Sequence, residues 1–191
     1  MASSWQSEGT MREIRTDRRV ARSREALCMA FVKLMLQDGY DTVTVEAVAA
    51  RANVGRSTFY LHFRGKEDIL RQSMMTINRV LACVLDDTIA GAQMVPLLQH
   101  FYEQRRINHV FLTAPVRALW VRYLADEIEA KIAARRGAQL ALPIRLVALY
   151  LAEVQVGLIT QWLLARAPVK PARIAEALLA TTRATAAALV A

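Results

Sequence analysis

The sequence of 191 residues has few of the residue types that build disulfide frameworks, metal centres or turn-rich folds: two Cys, three His, seven Gly and five Pro. Cys28 and Cys83 each lie in a helical apolar pattern without CxxC spacing, which predicts free thiols in a cytoplasmic protein. Glu153 interrupts the apolar stretch that begins at Leu146, and no apolar stretch follows the basic residues near the N-terminus. We therefore expect neither a membrane span nor a signal peptide.

Enzyme motifs are missing as well. The sequence has no GxGxxG after a strand, no P-loop, no HExxH and no nucleophile elbow. His100 and Glu103 have the i, i+3 spacing of a metal-binding pair, but no further ligands are grouped with them, so we interpret the spacing as a chance match. These gaps predict a protein that is not an enzyme and has neither a metal site nor a cofactor.

The composition is that of a folded helical protein, with 54% hydrophobic and 22% charged residues. The length allows one domain with a real core, or a small domain beside a larger one. Apolar residues recur at helical spacing along most of the chain, and the alternation expected of strands is nearly absent. The sequence therefore predicts an all-α fold.

The net charge of +8 at pH 7 suggests a polyanionic partner. Up to Leu70, 11 Lys and Arg stand against 9 Asp and Glu, so the total charge does not locate the segment that would bind it. Local clustering says more, because residues 12–24 contain six arginines. That cluster is consistent with contact to a polyanion and equally with a solvated helix face.

The N-terminal segment predicts a polar, basic arm followed by a first helix. Residues 1–15 are interpreted as a disordered arm, and a helix is expected from about Asp17 to Gln37, where apolar residues keep helical spacing. Asp38 and Gly39 supply its stop signal.

Two short helices are predicted next. Thr44 is a suitable N-cap for the segment that follows it, and Val45, Val48 and Ala49 give that segment a buried stripe. The tripeptide at 52–54 predicts a tight turn into a second short helix. Two short helices joined by a three-residue turn form a helix-turn-helix.

The second short helix has two chemically different faces. Phe59 and Phe63 are four residues apart and can face one core, whereas Arg56, Ser57 and Tyr60 are rotated away from them. Donors at the N-terminal end and an aromatic hydroxyl one turn later suit a helix that reads a major groove and holds nearby phosphates. From spacing alone, an ordinary surface helix remains the alternative.

The run TVEAVAARANVGRSTFYLHFRGKEDIL, residues 44–70, resembles the DNA-binding domain of the tetracycline-repressor (TetR) family of bacterial regulators. The resemblance implies a helix-turn-helix domain over 16–65, a connecting helix over 66–90 and a larger helical effector-binding and dimerisation domain over 91–191. It also implies a homodimeric, ligand-responsive regulator, most often a repressor, that binds a palindromic operator in double-stranded DNA and is released by a small-molecule effector of unknown identity. The alternative is a DNA-binding protein without an effector, either nucleoid-like or a constitutive regulator.

The resemblance assigns roles to seven residues of this region. The positions implied to face the bases are Arg56, Ser57 and Thr58. The positions implied to hold phosphates are Thr44, Tyr60, His62 and Lys66. Val45 departs from relatives that carry a longer polar side chain there, so we expect less base contact from the first short helix. The arginines of residues 12–24 would lie beside the DNA, either in the minor groove or against phosphates.

The remainder of the chain predicts four further helices, at about 95–111, 115–136, 142–166 and 170–189, after a break at 91–96. Aromatic residues with a few polar groups are what a small-molecule cavity needs. The candidate effector-pocket residues are Phe101, Tyr102, His109, Phe111, Trp120, Tyr123 and Gln155. For each of them, ordinary core packing is the alternative.

Gly157 suggests where a dimer would form. A glycine inside a helix costs about 1 kcal/mol relative to Ala, and close approach of a partner helix would offset that cost. Val154, Leu158 and Trp162 are spaced to lie near such a contact, and the resemblance implies that the last two helices form the dimer interface. The alternative is that Gly157 is tolerated or packs within its own subunit.

Overall fold

The structure, a computed structural model, describes residues 4–85, 90–105, 108–134, 140–164 and 168–189. Within these ranges every regular element is helical, which confirms the all-α prediction. The α-helices of the described residues are α1 (Ser4–Asp38), α2 (Val45–Arg51), α3 (Arg56–His62), α4 (Lys66–Ala82), α5 (Ala90–Glu103), α6 (Val116–Ala134), α7 (Ile144–Leu164) and α8 (Pro171–Ala188). Short 3-10 helices add Cys83–Leu85 and Asn108–Leu112.

The chain divides into two compact units, Met1–Ser73 and Met74–Ala191. The division falls inside α4, so one continuous helix contributes residues to both units. The predicted limits of the DNA-binding domain, the connecting helix and the effector domain stay predictions, and residues 86–89 at the end of that connecting helix lie outside the described residues.

The start of α1 differs from the prediction. The helix begins at Ser4, so residues 4–15, which we expected to form a disordered arm, are helical, while residues 1–3 lie outside the described part. No proline interrupts Ser4–Asp38, and extending an existing helix adds a hydrogen bond per residue without a new nucleation cost. The predicted stop is confirmed, because Gly39 takes a φ of 84° and donates its N–H to the Met35 carbonyl at 3.0 Å.

The first unit has its core on one stripe of α1. Leu27, Phe31 and Met35 follow each other at four-residue spacing and are fully buried. The shorter helices close over this stripe with their own buried side chains, namely Val48 and Ala49 of α2, Phe59 of α3, Phe63 just after it, and Ile69 and Leu70 of α4. Burying large apolar side chains contributes about 1.5 to 3 kcal/mol each, so this shared core fixes how α2 and α3 are held.

The turn between α2 and α3 has the predicted helix-turn-helix form. The Thr44 hydroxyl accepts the Ala47 N–H at 3.1 Å, as expected of an N-cap. Asn53 takes a φ of 54°, a left-handed conformation that asparagine tolerates better than most residues, and the Val54 N–H then donates to the Ala49 carbonyl at 3.0 Å. These local bonds redirect the chain into α3.

The second unit is built around α6 and α7. Ion pairs tie the two helices together, with Arg117 Nη2 lying 2.7 Å from a Glu153 carboxylate oxygen and Arg145 Nη1 between Asp126 at 2.8 Å and Glu129 at 3.0 Å. The hydrogen bonds that Arg145 donates to both carboxylates raise its pKa. In the described part of the chain, α7 is also the one helix long and apolar enough to cross a membrane, but 56% of that window is buried, as in a core helix.

Helix limits in the second unit differ from the prediction at both ends of α5, because the helix predicted over 95–111 ends at Glu103 and Asn108–Leu112 is a separate 3-10 helix. The expected break at 91–96 lies inside α5, which begins at Ala90 and contains Pro96. Met94 and Leu98 on either side of the proline are fully buried, so tertiary packing holds the helix although a backbone donor is missing. The later predicted helices agree with α6, α7 and α8 to within two residues at each end, while 135–136 and 165–166 lie outside the described residues.

Candidate nucleic-acid interface

The centre of the candidate interface is α3, which has only seven residues. A helix of this length is not stable alone in water. Phe59 and Phe63 anchor it, since both are buried and their ring centroids lie 5.6 Å apart. The exposed face of α3 is therefore held in place from beneath by the core of the first unit.

The solvent-facing side of α3 carries the predicted polar residues. Arg56, Ser57 and Tyr60 are exposed, which confirms that they are rotated away from the phenylalanines. Thr58 is half-buried and lies at the edge of that face. Contact of these four side chains with DNA remains a prediction.

Glu46 of α2 reaches across the turn to Arg56. Its carboxylate lies 2.8 Å from Arg56 Nη1, and Arg56 Nη2 donates to the Tyr60 hydroxyl oxygen at 3.4 Å. The hydrogen bond with Tyr60 and the charge of Glu46 raise the pKa of Arg56. The Tyr60 hydroxyl accepts from Arg56 and keeps its own proton for a further acceptor such as a phosphate.

Sequence reasoning missed Glu46. Glu46 lies in the first turn of α2, where acidic residues are common in any helix. Its position in the sequence therefore gives no sign of an ion pair with Arg56. Arg56 lies ten residues later on another helix, so only the geometry of the turn brings the two side chains together.

His62 lies against α1. Its Nε2 is 2.8 Å from Ser23 Oγ, and that hydroxyl donates to the Val20 carbonyl at 3.0 Å. Because the Ser23 proton is used in this way, the hydroxyl accepts from a protonated Nε2. Burial and then the nearby charge of Arg24 lower the pKa of His62. The implied phosphate contact of His62 remains a prediction.

Lys66 links the start of α4 to the loop before α2. Its Nζ donates to the carbonyls of Tyr40 at 3.0 Å and Asp41 at 3.2 Å and lies 4.4 Å from the centre of the Tyr40 ring. An ammonium group has three protons, so one remains for a phosphate. Thr44 is also exposed. Its hydroxyl oxygen accepts the N-cap bond from Ala47, so the hydroxyl proton is still available for a phosphate.

Some of the predicted effector residues come together in the second unit. Phe101 and Trp120 are both buried, with ring centroids 6.0 Å apart. The Trp120 indole N–H donates to Asn78 Oδ1 at 3.0 Å, a buried bond that sequence reasoning missed. Tyr102 stacks on Trp162 at 5.5 Å. These contacts are aromatic packing of the kind that serves a core as well as a pocket wall.

The other predicted pocket residues fall into different environments. Tyr123 and Gln155 are buried, Phe111 is half-buried, and His109 is exposed and so lies at the surface. Both amide atoms of Gln155 are buried without a hydrogen-bond partner in the protein. An unpaired buried amide is costly, and a water molecule or ligand group commonly satisfies it. The pocket role of all seven residues stays a prediction.

The predicted dimer residues do not all share one surface. A side chain at Gly157 would meet no atom within 4 Å, so the glycine is not needed for packing inside its own subunit. Val154 and Leu158 are half-buried beside it. Trp162 is buried in its own unit, where its indole N–H donates to the Val169 carbonyl at 3.0 Å, and its place at a dimer contact stays a prediction. On a helix that is apolar on most sides, the spacing of apolar residues does not show which neighbouring element covers each residue.

The comparison with protein families agrees with this geometry. Residues 30–72, which contain the end of α1, both short helices and the start of α4, match the model described as bacterial regulatory proteins, tetR family. Over these residues the chain is similar to the TetR family. The members of that family are regulatory proteins, which agrees with the prediction that the chain is not an enzyme.

Two curated relatives match part of this chain. The uncharacterized HTH-type transcriptional regulator YxbF of Bacillus subtilis (strain 168) is 39% identical over 83 residues, 42% of this chain and 21% of the relative. The HTH-type transcriptional regulator TcmR of Streptomyces glaucescens is 31% identical over 74 residues, 39% of this chain and 33% of the relative. The match thus spans between about a fifth and a third of these relatives' length.

A solved structure extends the likeness in fold to most of the chain. The crystal structure of a TetR-family regulator from Streptomyces coelicolor A3 superposes with a TM-score of 0.61 at 16% identity, covering 87% of this chain and 96% of the other. At this identity the likeness concerns the fold alone. It agrees with a helix-turn-helix unit followed by a larger helical unit in this chain.

Proposed function

We propose that this chain is a transcriptional regulator that binds a palindromic DNA operator as a homodimer in the cytoplasm. The observation that carries the proposal is the exposed face of α3. Arg56, Ser57 and Tyr60 stand on a helix whose opposite side is locked into the core by Phe59 and Phe63. A short rigid helix with long donors on its outer face is suited to the major groove.

Arg56 is the main base-reading side chain in this proposal. An arginine can donate two bonds to the O6 and N7 acceptors of guanine, a pairing that discriminates by about 1 to 3 kcal/mol. Ser57 and Thr58 face the same groove. The phosphates on either side are held by the protons that Thr44, Tyr60, His62 and Lys66 retain or gain, which sets the position of α3 without reading sequence.

The homodimer is proposed on the open side of α7. Leu146, Tyr150 and Leu164 are exposed apolar residues on this helix, and Gly157 between them leaves room for a close neighbour. An apolar face of this kind suits a self-complementary contact with the same helix of a second copy. Two copies present two α3 helices, which matches the symmetry of a palindromic site.

The proposal also includes control of DNA binding by a small-molecule effector. A small molecule held near Phe101, Trp120 and Gln155 would satisfy the unpaired amide of Gln155 and favour a state that binds DNA less well. Such a chain acts as a repressor that its effector releases. Thermodynamic reciprocity then requires operator DNA to weaken effector binding by the same factor.

Selection of bound DNA from a random pool tests the proposal. We expect a palindromic sequence, bound at least about a thousandfold more tightly than random duplex at the same salt concentration. Equal affinity for selected and random duplex would instead support the nucleoid-like alternative. Selection of a preferred sequence, together with failure of small molecules to alter binding, would support a constitutive regulator.

A further inference from the structure

Among the side chains whose exposure the structure describes, which begin at residue 18, the most exposed large apolar one lies in the middle of the candidate interface. Leu61 of α3 is 82% exposed, whereas Met29, the next most exposed, is 56% exposed. A single exposed leucine is not unusual on a protein surface. Its place on a seven-residue helix otherwise faced by donors is what requires an explanation.

The helical geometry places Leu61 on the outer face of α3. It follows Ser57 by four residues, so the two side chains are neighbours along the helix, and it follows Tyr60 directly. Phe59 and Phe63 point into the core, on the opposite side of the helix. Whatever α3 approaches through Ser57 and Tyr60 therefore also meets Leu61.

We infer that Leu61 contacts the C5-methyl group of a thymine in each half-site. This inference rests on the proposed function. Phosphates and most base edges in the major groove are polar, and the thymine methyl is the one apolar group presented there. Contact with it removes apolar surface of both partners from water, which is favourable for a side chain as exposed as Leu61.

The same contact discriminates against cytosine. Cytosine lacks the methyl group and presents an N4 amino donor in the groove. A leucine offers that amino group no acceptor, so cytosine would forgo the apolar contact and leave a donor unpaired. Leu61 thus specifies thymine both by attraction and by exclusion.

Removal of single methyl groups from the operator tests this inference. In the selected operator, each thymine is replaced in turn by uracil in both half-sites, which deletes the methyl and keeps every hydrogen-bonding group. A buried methylene is worth about 0.8 kcal/mol, so we expect one symmetric pair of positions where the wild-type protein loses about three- to fivefold in affinity per half-site. Leu61→Ala should bind the thymine operator more weakly and show little further loss with uracil at that position.

Met29→Ala is the matched control, because it removes an exposed apolar side chain from α1 of the same unit. It should keep the full loss with uracil. The inference is overturned if no thymine methyl matters, or if Leu61→Ala shows the same loss with uracil as wild type. In both cases a selected operator still exists, so the proposed function stands; failure to select any operator would overturn both.

Discussion

Glu46 and Arg56 form an ion pair with 2.8 Å between the carboxylate oxygen and Nη1, and it bridges the two short helices of the first unit. Both side chains are more than half exposed, so screening by water and salt leaves the pair with little effect on folding stability. Its effect is on orientation. An arginine has many rotamers, and Glu46 together with Tyr60 restrains the guanidinium before DNA arrives.

Glu46→Gln should therefore separate affinity from specificity. Loss of a negative charge beside DNA raises affinity for random duplex, while the freer Arg56 discriminates less well between bases. We expect the ratio of operator to random affinity at fixed salt to fall by about three- to tenfold, on the scale of one weakened base contact. Glu25→Gln makes the same charge change on α1, whereas the ion pair of Arg56 is with Glu46, and should leave the ratio intact. A ratio unaffected by Glu46→Gln would refute the orienting role.

Arg56→Ala and Lys66→Ala should weaken DNA binding in different ways. Arg56→Ala is expected to cost about 1 to 3 kcal/mol of operator affinity and to relax preference at one position per half-site. Lys66→Ala should weaken all sequences alike and lower the salt slope by about 0.9 for each phosphate that the protein no longer neutralises. Binding isotherms at several salt concentrations distinguish the two. Unchanged sequence preference in Arg56→Ala would mean that α3 does not read bases through this residue.

The pKa of His62 makes the stability of the first unit depend on pH. Burial lowers this pKa from its ordinary value of 6.5, so the unfolded chain takes up the proton at a higher pH than the folded chain. Stability therefore falls as the pH drops through 6.5 and levels off below the folded-state pKa, and His62 has no such effect at higher pH. Urea unfolding from pH 8 to 5 should show a smaller decline for His62→Gln. Parallel curves for both proteins would contradict the expectation.

Gly157→Leu should separate the two copies without unfolding either. The position has open space within the subunit, and leucine is a better helix former than glycine. In the proposed dimer the added side chain overpacks the contact, which typically costs about 1 to 3 kcal/mol and raises the dimer dissociation constant about tenfold to a hundredfold. Sedimentation measures the change, and Gly157→Ala serves as the milder control. A Gly157→Leu protein that stays dimeric and binds its operator normally would place the interface elsewhere.

The buried hydrogen bond between Trp120 and Asn78 should be measurable as a coupling energy between the two side chains. Asn78→Ala leaves the indole N–H without its acceptor, and Trp120→Phe leaves the amide oxygen without its donor, each adding about 1 to 3 kcal/mol to the loss of packing. The double variant should be less destabilised than the sum of the single variants in urea unfolding. Strict additivity would show that the hydrogen bond contributes nothing.

Local chemistry explains what the sequence could predict. The cap at Thr44, the turn at Asn53 and the stop at Gly39 involve neighbours within five residues, and all three stand in the structure as predicted. Phe59 and Phe63 are correctly placed in the core because four-residue spacing on a helix determines a shared face.

The sequence is less informative where the environment of a residue depends on residues far from it in the sequence. Pro96 was interpreted as a break, but the burial of Met94 and Leu98 keeps the helix continuous. Tyr102 from another helix stacks on Trp162, a contact that the spacing of residues on one helix does not reveal. The exposure of Leu61 depends on which side of α3 meets the core and on how the rest of the first unit packs around that helix, neither of which is a property of the local sequence.

Because α3 is only two turns long, it is stabilised mainly by the burial of Phe59 and Phe63, and its orientation depends on the core of the first unit. A genetic screen for loss of regulation would then recover substitutions at buried phenylalanines as readily as at Arg56. Such alleles would be mistaken for simple folding defects. In cells they would resemble the loss of Arg56, since a tilted α3 fails at every operator at once, whereas an operator mutation affects one site.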